Sequence, residues 1–139
     1  LLFLFIFFFQ AEEVIRDLVR SRGLGYVFNN QDANDTYWND GEGWEPIGGW
    51  NAYFSAVFDG NGYQIRNLYI DRPSTNNVGL FSSIRGEAAA ILSSGLTGQL
   101  MSVSGKHWVG GFAGYVMDAT IRSSYSTGCF LYTSDAAHE

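Results

Sequence analysis

The sequence predicts an all-β chain built as a solenoid, with short strands from successive segments stacked in parallel. The first observation behind this is an internal repeat. Val78-Gly79-Leu80-Phe81 returns 31 residues later as Val109-Gly110-Gly111-Phe112, and the segment from Ile91 to Gly98 returns 30 residues later as Ile121 to Gly128. A fixed offset with matched apolar and small positions marks stacked units that cannot bury a core singly. The second is composition: 17 Gly against 2 Pro, with 17% aromatic residues, suits a turn-rich β protein rather than a disordered one. The third is the alternation of Tyr63, Ile65, Asn67 and Tyr69 against Gln64, Arg66, Leu68 and Ile70, a period-2 pattern with no helical reading.

The elements follow in chain order. Leu1 to Phe9 is an unbroken apolar run without the basic start or small-residue cleavage pattern of a signal peptide. It falls well short of the roughly 20 residues that cross a bilayer, so no membrane span is expected. Val14/Leu18 and Ile15/Val19 at i,i+4, with Gly23 as a stop, predict a helix over about 3–21. Residues 1–25 resemble the conceptual translation of sequencing-adapter DNA, and residues 131–139 resemble its counterpart at the other end. Both are therefore set aside as adapter-derived, the first as an artefactual helix. Residues 26–56 form an acidic, aromatic lead-in and cap, dense in Asn, Asp and Gly and hence in turns.

Residues 57–130 carry the stacked coils. Asp59-Gly60-Asn61-Gly62 is a tight turn tolerant of positive φ. Ile65, Ile91 and Ile121 read as equivalent inward positions in successive coils, about 4.8 Å apart along the axis. Val78 should stack on Val109, and Phe81 on Phe112. Asn67, Ser93 and Ser123, two positions after each Ile, are expected to form a hydrogen-bonded ladder at a corner. Gly79, Gly110 and Gly111 allow the close backbone approach that a Cβ would block.

Phe58 through Ile70, then Asn77-Val78-Gly79-Leu80-Phe81, resembles the lead-in of GLUG-motif repeat proteins, and Trp108 to Tyr115 with Ala119 to Gly128 resembles the repeat itself. Trp44-Glu45-Pro46-Ile47-Gly48 fits the segment that often precedes it. Here Gly111-Phe112 stands where the motif more usually has Gly-Leu. The resemblance implies a right-handed parallel β-helix in bacterial secreted or cell-surface proteins, some of them found beside immunoglobulin A peptidases. It implies no catalytic residue within the repeat.

Composition narrows function by exclusion. A net charge of −6 disfavours nucleic acid as a partner, since that needs clustered Lys and Arg. The single Cys129 leaves no internal disulfide framework and no Cys-based zinc site. Asp32-x-Asn34-Asp35 lacks the Gly and terminal Glu of a calcium loop, so no metal or other cofactor is expected. His107 is the one His within 26–130, too little for a nucleophilic triad, and Arg85, Lys106 and Arg122 are too scattered for lyase chemistry. The reading is therefore a non-catalytic structural or adhesive module, extracellular or at the cell surface. The alternatives are an accessory region of a peptidase or polysaccharide-active enzyme, and a carbohydrate-binding module. For the last, Trp38, Trp44, Trp50 and Tyr53 are the candidate glycan contacts, with Trp108 in the same aromatic set, because exposed rings stack on sugars. The competing role for those rings is to cap the end of the stack. Expected partners are a glycan, another surface protein, or a second copy paired through an exposed end.

Overall fold

The computed structural model describes the backbone of residues 24–26, 31–32 and 38–132 and the side chains of 38–128. The helix expected over 3–21 lies outside the described residues. The strands are β1 Leu24–Tyr26, β2 Gln31–Asp32, β3 Val57–Asp59, β4 Gln64–Arg66, β5 Tyr69–Asp71, β6 Phe81–Arg85 and β7 Ala90–Leu92. β8 Gly95–Thr97, β9 Ser102–Gly105, β10 Ala113–Met117, β11 Thr120–Arg122, β12 Tyr125–Ser126 and β13 Cys129–Tyr132 complete them, with a short 3₁₀ turn at Trp38–Gly41. Every described strand pairing is parallel.

The pairing joins strands from successive segments. One sheet runs β1-β3-β7-β11, a second β2-β4-β8-β12, a third β5-β9-β13, and a fourth pairs β6 with β10. Register places Phe58, Ile91 and Ile121 in one row, Ile65 and Leu96 in another, and Ile70 and Val103 in a third. In β3, β4, β5 and β7 the central residue points to the interior: each buries its middle residue and leaves the flanking ones less covered. This is the period-2 alternation of a strand with one face on a core. Phe58, Ile65, Leu68, Ile70, Leu80, Phe81, Ile84, Ile91, Leu96 and Val103 all belong to a single buried cluster, so the four sheets share one interior.

Three sequence expectations change. Ile91 and Ile121 are register partners as expected, but Ile65 pairs with Leu96, on a different sheet. The reason is that one local pattern ends strands in two different sheets. β4 is followed by Asn67 at φ 57°, β7 by Ser93 at φ 48° and β11 by Ser123 at φ 53°, so a strand followed by a left-handed residue recurs in different places. Ile121 is also 42% exposed rather than buried, because β11 is the outermost strand of its sheet among the described residues. Phe81 lies opposite Ala113 rather than Phe112, although its amide donates to the Phe112 carbonyl at 2.8 Å and both rings are buried. Val78 and Val109 do pair, in a parallel bridge.

The expected ladder of Asn67, Ser93 and Ser123 is displaced by one residue. Ser124 Oγ accepts from the Ser94 amide at 3.2 Å, and the Ser94 and Ser124 hydroxyls donate to the Leu92 and Arg122 carbonyls. Ser93 and Ser123 make the left-handed turn that presents these hydroxyls, and Asn67 Oδ1 instead accepts from the Leu100 amide. Gly79 lies where its absent Cβ would come 2.7 Å from the Gly110 carbonyl oxygen and 3.0 Å from Ala113 Cα. Residues set aside as terminal also enter sheets: Leu24 and Gly25 in β1, and Leu131 and Tyr132 in β13.

Candidate functional site

The lead-in loop decides where the aromatic candidates fall. Gly43 forms an antiparallel bridge with Ile70, and the Trp44 amide donates to the Tyr69 carbonyl at 2.8 Å. This seats Trp44 against the parallel sheets, where it is fully buried and its Nε1 donates to the Leu80 carbonyl at 2.9 Å. Trp38 packs on it at 6.4 Å between ring centroids and is partly buried. Trp44 is thus corrected from glycan contact to core residue, since a ring closed off from solvent offers no face to a sugar. A lone aromatic in a polar loop carries no local signal of that burial. Contacts across the fold, among them Gly43–Ile70, Trp44–Tyr69 and Trp44–Leu80, create it.

Ile47 and Phe54 then bridge in parallel to Phe81 and Ile84. Their backbones bond along one edge of β6, where Ser82 and Ser83 are both buried on a strand that should alternate. The loop between Ile47 and Phe54 projects Trp50 and Tyr53, which are 53% and 45% exposed. Both surround Arg85. Its guanidinium carbon sits 3.9 Å from the Trp50 ring centroid, 5.1 Å from Tyr53 and 5.2 Å from Tyr115, within cation–π range. Tyr115 meets Trp50 edge to face at 5.3 Å. In sequence Arg85 is one of three scattered basic residues and Tyr115 a position within the repeat, with no local sign that the two meet. The signal available was strand alternation: Tyr115 lies opposite Ser83 in the β6–β10 register, on the same side as Arg85.

Beside this cluster is an open cavity of about 540 Å³, lined by the 45–50 loop, Arg72, residues 75–77, Ser82 and Trp108. Trp108 is 59% exposed and adopts φ 54°, an uncommon backbone for so large a residue. Hydrogen bonds fix its position: the Val78 amide donates to the Trp108 carbonyl at 3.0 Å and the Asn77 amide to the His107 carbonyl at 2.9 Å. Asn77 is 6% exposed, and its side-chain Oδ1 is buried without a hydrogen-bond partner. Arg72 is held by an ion pair to Glu42 at 3.1 Å, and its Nε donates to the Trp44 carbonyl.

Of the candidate contacts, the structure thus brings Trp50 and Tyr53 together on the surface and places Trp108 on the same cavity as Trp50. Trp38 and Trp44 do not line that cavity. Among the described residues no group of three or more His, Cys, Asp or Glu is placed to hold a metal ion. No described helix is long and apolar enough to cross a membrane.

No family model and no solved structure matches the chain. It is 41% identical over 86 residues to a protein of Evansella cellulosilytica named as a Gly-rich membrane protein, covering 60% of this chain and 10% of that protein. It is 39% identical over 99 residues to halomucin of Haloquadratum walsbyi, covering 68% of this chain and 1% of halomucin. The chain therefore spans a small fraction of the length of the curated relatives it matches.

Proposed function

We propose that the chain is a repeat module of a secreted or cell-surface protein, folded as a right-handed parallel β-helix and acting as a non-catalytic spacer or adhesive segment. One observation carries this reading. Rows such as Phe58–Ile91–Ile121 keep one register through successive segments, so each segment presents to the next the surface it received from the last. The outermost strands carry Val116, Met117, Ile121 and Tyr125, each more than 40% exposed, an apolar end suited to a further coil. A small module matched within much longer proteins fits this role. So do the two relatives' names, one a membrane protein and one a halomucin, and a net charge of −6, which is at ease in salt.

The test is to lengthen the stack. Inserting a second copy of residues 99–128 after Gly128 should extend the molecule by one coil, about 4.8 Å, and raise its melting temperature through the added neighbour contacts. Small-angle scattering and calorimetry read both. A second, independent unfolding transition, or a fall in melting temperature, would overturn the stacking. For location, antibodies to the chain should label intact cells of an organism that carries the gene. Labelling seen only after lysis would overturn the surface reading.

A further inference from the structure

We infer that the cavity bounded by Trp50, Trp108 and Asn77 is a binding site for a neutral saccharide segment. This goes beyond the spacer reading and does not depend on it. At about 540 Å³ the cavity lies within the range of about 300–1,000 Å³ usual for small-molecule sites. It offers the two kinds of contact a pyranose requires. Trp50 and Trp108 both line it with more than half their surface exposed, giving apolar platforms for the C–H face of a sugar ring. Asn77, also a lining residue, carries an unpartnered Oδ1 closed off behind the cavity wall, and a turn of its side chain toward the cavity would let a sugar hydroxyl donate to it.

The platforms are held in place before any ligand arrives. Arg85 lies 3.9 Å over the Trp50 ring and Tyr115 meets the same ring edge to face, which limits its rotation. Trp108 sits next to Asn77 through the Val78–Trp108 backbone bond, in a left-handed conformation that a side chain of this size seldom adopts. A site whose rings are already positioned loses less conformational freedom on binding.

Charge selects among sugars. Arg72, the cationic lining residue, is already paired to Glu42, and Glu45 adds a carboxylate to the wall. On a chain of net charge −6 this disfavours uronic or sulfated sugars and favours neutral ones.

The experiment is calorimetric titration of the full chain with soluble cello-, manno- and N-acetylchito-oligosaccharides, against oligogalacturonate as the acidic comparison. At least one neutral oligosaccharide should bind and the oligogalacturonate should not. Trp108→Gly removes the ring, and Asn77→Gly removes the amide, at positions with φ 54° and 57° where glycine is at ease, so both variants should stay folded by circular dichroism. Each should weaken binding roughly tenfold. The inference is overturned if no neutral oligosaccharide binds the folded chain at millimolar concentration, if the acidic ligand binds better, or if both glycine variants bind as tightly as the parent.

Discussion

Replacing Trp44 tests whether this ring is core or binding surface. Its side chain is fully buried and its Nε1 donates to the Leu80 carbonyl at 2.9 Å. Trp44→Ala removes a large buried ring, which costs about 3–5 kcal/mol in comparable cores. The hydrogen bond adds less than a lost buried partner usually would, because the Leu80 carbonyl keeps its bond from the Ile47 amide at 3.0 Å. Its net worth is therefore about 1 kcal/mol. Trp44→Phe keeps most of the ring and loses that bond, for a total of about 2 kcal/mol. With a urea slope of about 2 kcal/mol per molar, the midpoint should fall by about 2 M for Ala and about 1 M for Phe. Equilibrium urea unfolding followed by circular dichroism measures both, and saccharide titration of Trp44→Phe should match the parent. If Trp44→Ala lowered stability by less than about 1 kcal/mol, the packing of the lead-in loop described here would be wrong.

Other expectations rest on equally local features. Gly79→Ala should destabilise by about 1–3 kcal/mol, since its Cβ meets backbone atoms of Gly110 and Ala113 that cannot swing aside. Gly49→Ala, with nothing within 4 Å and no positive φ, should be neutral or stabilise by up to about 1 kcal/mol; thermal melts compare the pair. Ser124→Ala deprives the Ser94 amide of its acceptor and should cost about 1 kcal/mol in urea unfolding. Ile121→Lys, on an outermost strand and 42% exposed, should change stability by less than about 0.5 kcal/mol while lowering self-association in analytical ultracentrifugation.

The sequence disclosed the stacking more readily than the alignment of its parts. Val78–Val109 and Ile91–Ile121 were legible because both the apolar residue and its glycine or serine context return at one offset. Ile65 lies in a different row because a strand followed by a left-handed polar residue is the local way of leaving a sheet, and the chain uses it in more than one sheet. Asn67 and Ser93 share a backbone conformation without sharing a position. The site was legible in part. Trp50 and Tyr53 sit in a loop whose exposure its polar neighbours foretold, whereas Trp44 in the same loop is buried by contacts with residues 69 and 80. Asn77 passed unnoticed because an asparagine before a repeat motif looks like turn chemistry until its amide is seen buried at the cavity wall.

The connections between the parallel sheets need not be alike. Between the second and third sheets the chain runs from Thr97 to Ser102 in one segment but only from Ser126 to Cys129 in the next, yet the β9–β13 register is kept. Length differences are absorbed where backbone leaves one sheet for another, and closing a longer loop is cheap, about 0.6 kcal/mol for each doubling. Heredity can treat these connections as text open to insertion while the rows stay fixed. Substitution and insertion could thus rework the exposed connections, loop by loop, without rewriting the paired strands that carry them.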